Sequence, residues 1–232
     1  MVTPVSLLDE RSRINDPISD PIDDLTPDNN LGEKRVTLNG LTWQAYQQIL
    51  NALPQSRASH LTYDHGTLEI TMPLESHESA SEIIGLFIRI LAVEMGLRLK
   101  SMRSTTINRQ DLDRGAEPDC AYYIKNQSKV AGKTIDFTKD PPPDLVVEVD
   151  ITHTDIDKNR IYASMGVPEF WRYDGKELKI YQLQQNVYVE CDRSPTFAWV
   201  KKEYLYIFLE QAQEDEVTAE TRFRDFVRET VN

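Results

Sequence analysis

Apolar positions along the chain change period several times, and each change marks an element. Leu41, Ala45, Ile49, Leu50 and Leu53 recur at helical spacing, Thr42 stands where a cap belongs, and Pro54 ends the run. His60–Asp64 and Thr67–Met72 flank His65-Gly66 and predict a β-hairpin. The clearest helix follows. Ser76 is its expected cap, Ile83, Ile84, Phe87, Ile88, Leu91 and Met95 form a wide apolar stripe, and Gly96 supplies a left-handed stop. Residues 97–108 predict a strand, 118–124 another, and 125–143 a long polar, Pro-rich loop. Leu145–Ile151 is a short apolar strand. Thr154 and Asp157 spell a capping box for a helix that stops at Gly166, just before Pro168. Glu169–Tyr173, Leu178–Leu183 and Val187–Glu190 predict strands, with Asp174-Gly175 the two-residue hairpin signal between the first two. A closing helix is expected near 217–230. No internal repeat is visible. The order predicts the α/β (α+β) class, a sheet with helices packed on it.

Composition narrows the class. A chain of 232 residues, 40% hydrophobic and 28% charged, fits one soluble domain with extensions. Its apolar runs fall far short of the roughly 18 residues a membrane span needs. The first ten residues lack the basic start and long apolar core of a secretory signal. Two cysteines, Cys120 and Cys191, make neither a disulfide framework nor a zinc site. These features favour a reducing cytoplasm and no membrane partner.

The net charge of −12 speaks against nucleic acid, because phosphate binding needs Lys and Arg. Its distribution changes that reading. Residues 1–33 hold eight acids and two bases, and residues 210–232 hold seven acids and three bases, so the stretch between is nearly balanced. The chain therefore divides into an acidic, flexible N-terminal tail over 1–33, a domain over 34–210 and a C-terminal helix over 211–232.

Candidate chemistry sits in the strand Asp144-Leu-Val-Val-Glu148-Val-Asp150. Side chains alternate faces, so Glu148 and Asp150 share a side while Leu145, Val147, Val149 and Ile151 share the other. Like carboxylates at about 4 Å repel by roughly 1–4 kcal/mol, and a fold tolerates that when a cation, a basic partner or a proton compensates. Asp119, which follows Pro118 at the start of another strand, approaches Glu148 if the two strands are neighbours. Two carboxylates plus waters is the usual way a protein holds Mg²⁺. Lys158, Ile161, Tyr162 and Met165 form one stripe of the next helix, so Lys158 is either directed at the carboxylates or snorkels to solvent.

Three segments carry a family resemblance: Glu117-Pro118-Asp119, Pro143-Asp144-Leu-Val-Val-Glu148-Val, and Lys158-x-x-x-Tyr162-Ala-x-x-Gly166-Val-Pro-Glu-Phe-Trp171-x-Tyr-Asp174. They resemble the Uma-two family of bacterial endonucleases, in the PD-(D/E)xK, or restriction-endonuclease-like, superfamily, over about residues 36–190. The resemblance implies a mixed central sheet flanked by helices in the order αβββαβ. It implies a metal-dependent endonuclease that hydrolyses phosphodiester bonds of nucleic acid, DNA first, with Mg²⁺ (or Mn²⁺) as cofactor. A homodimer is compatible with it, since many nucleases of that superfamily cut both strands as pairs. It assigns the metal-binding acids to Asp119 and Glu148, with the Val149 carbonyl as a further ligand. The superfamily's lysine is expected two residues after the second acid, where this chain has Asp150, and Lys158 takes over that role from the next helix. Glu78 and Glu82, one turn apart on the long helix, are candidates for an additional catalytic acid. His77 stands where the family often has a histidine, although a helix-start residue bonded to backbone is the simpler reading.

For phosphate contacts the stretch 97–109 offers Arg98, Lys100, Arg103 and Arg109 without an acid, and the loop 125–139 adds scattered lysines. Solvated surface is the better reading of such scattered lysines. His60, His65 and His153 show no metal-ligand spacing, and Cys120 and Trp171 read as core. No helix-turn-helix, zinc finger, Gly-rich phosphate loop or serine-nucleophile motif is present. A catalytically inactive relative that binds nucleic acid or a protein is the main alternative. A glycosidase with paired carboxylates is disfavoured by three widely spaced tryptophans.

Overall fold

The structure, a computed structural model, describes residues 34–231 apart from 55, 152, 153 and 155. The flexible tail expected over 1–33, and His153, lie outside the described residues. The elements run β1 (Lys34–Leu38), α1 (Trp43–Ala52), β2 (His60–Asp64), β3 (Thr67–Met72), α2 (Glu75–Glu94), β4 (Lys100–Ser101), β5 (Ile107–Arg109), β6 (Arg114–Ala116), β7 (Cys120–Tyr123), α3 (Gln127–Val130), β8 (Leu145–Val149), α4 (Lys158–Ser164), β9 (Glu169–Tyr173), β10 (Leu178–Gln184), β11 (Val187–Cys191), α5 (Lys202–Glu214) and α6 (Glu216–Val231).

They build a mixed α+β fold with two sheets. One has the order β1-β3-β2-β6-β5 and is antiparallel throughout. The other has the order β11-β10-β9-β8-β7-β4. Its β8 and β9 are parallel, joined by a crossover through α4, and its remaining pairs are antiparallel. Read along the chain, α2, β4, β7, β8, α4 and β9 are the αβββαβ core, and it frames the candidate site.

Alternation in β8 sorts its two faces. Leu145, Val147 and Val149 join the core built with α2, α5 and α6, including Phe87, Phe208 and Phe223. Val146 points the other way, into the cluster of Ile161, Tyr162, Met165 and Phe170. All four aliphatic side chains of β8 are buried. At roughly 1.5–3 kcal/mol each, they fix the strand against a one-residue slip that would exchange its faces. Glu148 is thereby committed to the α4 side.

Several local expectations shift. Helix α1 is capped by Thr42 as read, its Oγ1 accepting from the Ala45 amide at 3.2 Å. Helix α2 instead starts at Glu75 with Leu74 at the cap and no side-chain cap bond; Ser76 is displaced because the Leu74 carbonyl takes the His77 and Glu78 amides. The capping box also moves. Asp157 caps α4 by accepting from the Arg160 amide, and Thr154 is drawn away to the Glu69 carboxylate of β3. The strand expected over 97–108 breaks at Met102–Thr105, where Arg103 takes a positive φ of 47°. Its halves join different sheets. Asp174-Gly175 belongs to a four-residue loop, since Tyr173 pairs with Leu178. The two-residue hairpin turn is Gln185-Asn186, both with positive φ. The boundary expected at 210 falls inside α5, whose Phe208 and Leu209 belong to the main core.

Asp64 ties β2 to β6 and α4. Its carboxylate accepts from Arg114 Nε at 2.8 Å and from the Arg160 guanidinium. Burial pushes this carboxyl up, but hydrogen bonds from Arg114, His65 and Arg160 win and hold it at about 2. A depressed carboxyl stabilises the fold above its unfolded value of 3.8, and that stability is lost as pH falls toward 2. Asp64→Asn is expected to cost about 2–3 kcal/mol at neutral pH. The cost should shrink between pH 4 and pH 2, as read by urea unfolding across pH.

Candidate active site

Pro118 ends the approach to β7 and delivers Asp119 one residue before the strand. The register Cys120↔Val147 then sets Asp119 opposite Glu148 on the neighbouring antiparallel strand. The Asp119 carboxylate is buried and fully engaged. Its Oδ2 accepts from the Val149 amide at 2.6 Å and lies 3.3 Å from His77 Nε2, while its Oδ1 lies 3.1 Å from His60 Nδ1. Burial raises this carboxyl, but the hydrogen bonds of His60 and His77, with the positive charge of Lys158, pull it well below the usual carboxylate range. Burial in turn disfavours the His60 imidazolium, yet its bond to Asp119 outweighs that and lifts its pKa above 6.5.

Glu148 is 1% exposed, and its two oxygens have different partners. Oε1 accepts from the Tyr162 hydroxyl, and Oε2 accepts from Lys158 Nζ at 2.6 Å. The same ammonium donates to Asp150 Oδ1 at 2.7 Å, and Arg172 Nε donates to Asp150 Oδ2 at 3.0 Å. Burial is the main force on Glu148. Asp119 and Asp150 add to it against the pull of Lys158, and the carboxyl is pushed up to about 7. For Lys158, burial is outweighed by Glu148 and Asp150, which hold its proton firmly above the ordinary lysine range. The apolar stripe of α4 explains the placement. Ile161, Tyr162 and Met165 are buried, so Lys158 one turn earlier is carried over the end of β8.

Of the residues singled out in the sequence, the structure brings Asp119, Glu148, Asp150, Lys158, His77 and the Val149 main chain together. Asp150, standing where a lysine was expected, is the second seat of the Lys158 ammonium. His77 bonds the Leu74 carbonyl through its amide, as a helix-start residue does, and its ring also reaches Asp119. Glu78 and Glu82 are exposed and line the cleft of about 270 Å³ that also contains His60, Asp119 and Cys120. No described hydrogen bond joins either of them to Asp119 or Glu148. Cys120 is half-buried, packed against the main core as read, and it also lines that cleft wall. Arg103 lines the cleft; Lys100 and Arg109 do not. Lys100 Nζ is spent on the carbonyls of Val130 and Lys133, and Arg109 on Asp111. Arg98 is exposed, away from the cleft lining.

His60 carried no local signal, and Glu117 stood out only as the first residue of the Glu117-Pro118-Asp119 segment. His60 meets Asp119 across 59 positions of chain through the packing of β2 beside β7's approach. Glu117 is buried and accepts from Arg57, Thr106 and the Leu61 amide, anchoring the segment that presents Asp119.

The donor set fits a hard divalent cation. Asp119 and Glu148 offer carboxylate oxygens from adjacent strands, with the Val149 carbonyl between Glu148 and Asp150. Three buried carboxylates face one ammonium and one guanidinium, and burial, with Asp119 and Asp150 adding to it, raises Glu148. Among the described residues no three His, Cys, Asp or Glu side chains are grouped around one cation position. Such an ion would therefore be held by the two carboxylates, the carbonyl and waters, as Mg²⁺ commonly is.

No curated protein matches the chain. Among solved structures it is similar to the "putative nuclease belonging to DUF820" from Anabaena variabilis, at 16% identity and a TM-score of 0.47, covering 73% of this chain and 99% of that one. The model of the Uma2 family, described as "Putative restriction endonuclease", matches residues 43–214, about three quarters of the sequence and every site residue named above. The chain is a member of the Uma2 family.

Proposed function

We propose that this protein is a divalent-cation-dependent endonuclease that hydrolyses phosphodiester bonds of nucleic acid, with DNA the first substrate to test and Mg²⁺ or Mn²⁺ the cofactor. The observation that carries the reading is the seating of Lys158 on Glu148 and Asp150, beside Asp119, in a chain of this family. Asp119, Glu148 and the Val149 carbonyl would hold the ion, which when bound would lower the pKa of a water and neutralise phosphate charge. The protein's own groups do the rest. His60, His77 and the Val149 amide keep Asp119 ionised and oriented. Tyr162 fixes one oxygen of Glu148. Lys158, held by two carboxylates in a dry site, presents a preorganised positive charge to the phosphoryl oxygens as they gain charge. Glu78 and Glu82, in the adjoining cleft, are placed to orient water through the solvent there. A pair of copies would cut both strands of a duplex.

A non-catalytic binding role is favoured by one observation: each oxygen of Asp119 and Glu148 already has a protein donor. One experiment separates the two. Plasmid, single-stranded DNA and RNA are incubated with the full chain and Mg²⁺ or Mn²⁺, with EDTA and Glu148→Ala as controls. The nuclease reading expects cation-dependent cleavage that Glu148→Ala removes. Cleavage that survives the substitution, or none with any substrate or ion, rejects it.

A further inference from the structure

The arginines around the site are mostly tied to acids: Arg57 to Glu117, Arg114 and Arg160 to Asp64, and Arg172 to Asp150. Arg89 and Arg103 differ. Among the described residues neither guanidinium meets a carboxylate, both are exposed, and both line the cleft that opens over Asp119.

Their positions follow from the fold. Glu78, Glu82, Gly85 and Arg89 stand at i, i+4, i+7 and i+11 of α2, so one face of the helix forms a cleft wall. Arg89 lies about 10 Å along the helix axis from Glu82. Gly85 lets α2 settle on β7: a Cβ there would come within 2.9 Å of Tyr122 Oη and 3.5 Å of Cys120 Sγ. Arg103 enters from the other wall. It sits in the turn after β4, whose Ser101 pairs with Tyr122, and its positive φ of 47° bends the chain away from the strand. Both guanidiniums act on the same phenol. Burial and Cys120 push Tyr122 up, and Arg89 and Arg103 pull against them. The two arginines thus line, with Tyr122 and Asp119, one and the same cleft.

We propose that Arg89 and Arg103 form a phosphate clamp that holds a nucleic-acid strand in the cleft by a phosphate flanking the scissile one. A guanidinium without an acid is free for bidentate phosphate contact, and a pair of them fits a polyanion better than a neutral ligand. The proposal rests on the nuclease reading for the meaning of "scissile" but not for the binding itself. The acids Glu78 and Glu82 lie at the Asp119 end of the same wall, so the strand is attracted at the arginine end and admitted at the acidic end by a cation.

The test is fluorescence anisotropy of short fluorescein-labelled single-stranded and duplex DNA with the full chain in EDTA, over a range of KCl, together with Mg²⁺- and Mn²⁺-dependent cleavage. Arg89→Gln and Arg103→Gln are each expected to weaken binding about tenfold regardless of sequence, and to lower the salt slope by just under 1. Arg98→Gln, outside the cleft, should change it less than about twofold. Unchanged urea midpoints confirm that these exposed substitutions leave the fold intact. If the double variant binds and cleaves like the wild type, the clamp is wrong and the nuclease reading stands. If binding depends on the two arginines but no ion supports cleavage, the clamp stands and the nuclease reading fails. A wild-type chain that neither binds nor cleaves overturns both.

Discussion

Replacing Lys158 by methionine is expected to destabilise the fold by up to about 3–5 kcal/mol above neutral pH and to abolish cleavage. Both effects come from one ammonium. Lys158 Nζ is the direct partner of Glu148 and shares Asp150 with Arg172. Methionine fills a similar volume but leaves Glu148 buried beside Asp119 and Asp150 with only the Tyr162 hydroxyl to answer it. Removing one member of a buried ion pair costs that much because the stranded charge is not resolvated. The pH dependence identifies the cause. Lys158 is the strongest influence lowering the Glu148 carboxyl, so its loss raises that group further above 4.5. A carboxyl raised in the folded state costs stability above its unfolded pKa and costs nothing below it. Below about pH 7 Glu148 keeps its proton in both folded forms, so the gap between wild type and variant should be small there and should widen as pH rises above 7. Urea unfolding at a series of pH values measures it. A gap independent of pH would mean that Lys158 serves packing and not charge.

Asp119→Asn is the second large effect, and it separates chemistry from folding. Cleavage is expected to fall by at least about 10³-fold, because a neutral amide no longer holds the cation and several kcal/mol of charge stabilisation go with it. The fold should lose only about 1–2 kcal/mol, since the asparagine oxygen still accepts from the Val149 amide. His60 supplies an independent readout. Asp119 raises its pKa above 6.5, so this histidine contributes stability that is complete below 6.5 and is lost as pH rises through its folded value. In the variant that contribution disappears, and the His60 imidazole should titrate at lower pH by NMR. A variant that still cleaves at the wild-type rate removes Asp119 from the site. An unchanged His60 titration breaks its pairing with Asp119.

The two results also tell Glu148 and Asp119 apart. The two carboxylates face each other, but their environments drive them in opposite directions. Asp119 takes an amide and two imidazoles; Glu148 takes one hydroxyl and half of a shared ammonium. The proton that Glu148 keeps near neutral pH is the one a divalent ion would displace. Cation affinity should therefore weaken as pH falls below about 7, measurable by calorimetric titration in EDTA-stripped buffer.

Much of this site was legible before any coordinates. Glu148 among valines stood out because an isolated carboxylate is rarely buried without a reason. The period of two in β8 and the period of 3.6 in α4 said which side each residue takes. Where the reading went astray, a local signal competed with a distant partner. Thr154 has the right spacing for a capping box, but the Glu69 carboxylate of another sheet claims its hydroxyl. Lys100 and Arg109 sit in an acid-free basic stretch, yet the Val130 and Lys133 carbonyls and Asp111 hold them. Arg89 drew no notice because one arginine on the exposed side of an amphipathic helix is ordinary.

By itself the sequence determined which face each side chain occupies: Glu148 opposite the valine face of its strand, Lys158 on the buried stripe of its helix, α2 apolar toward the core. Such faces follow from periodicities of a few residues, and the backbone geometry that sets them is local. Only the tertiary structure decided which faces meet. The register Cys120↔Val147 put Asp119 opposite Glu148, the approach of β2 and α2 brought His60 and His77 to Asp119, and the break at Arg103 sent one basic stretch into two sheets. Those contacts join residues tens of positions apart. They depend on strand register and helix docking, which are set by the packing of the whole core, and no spacing within a short segment encodes them.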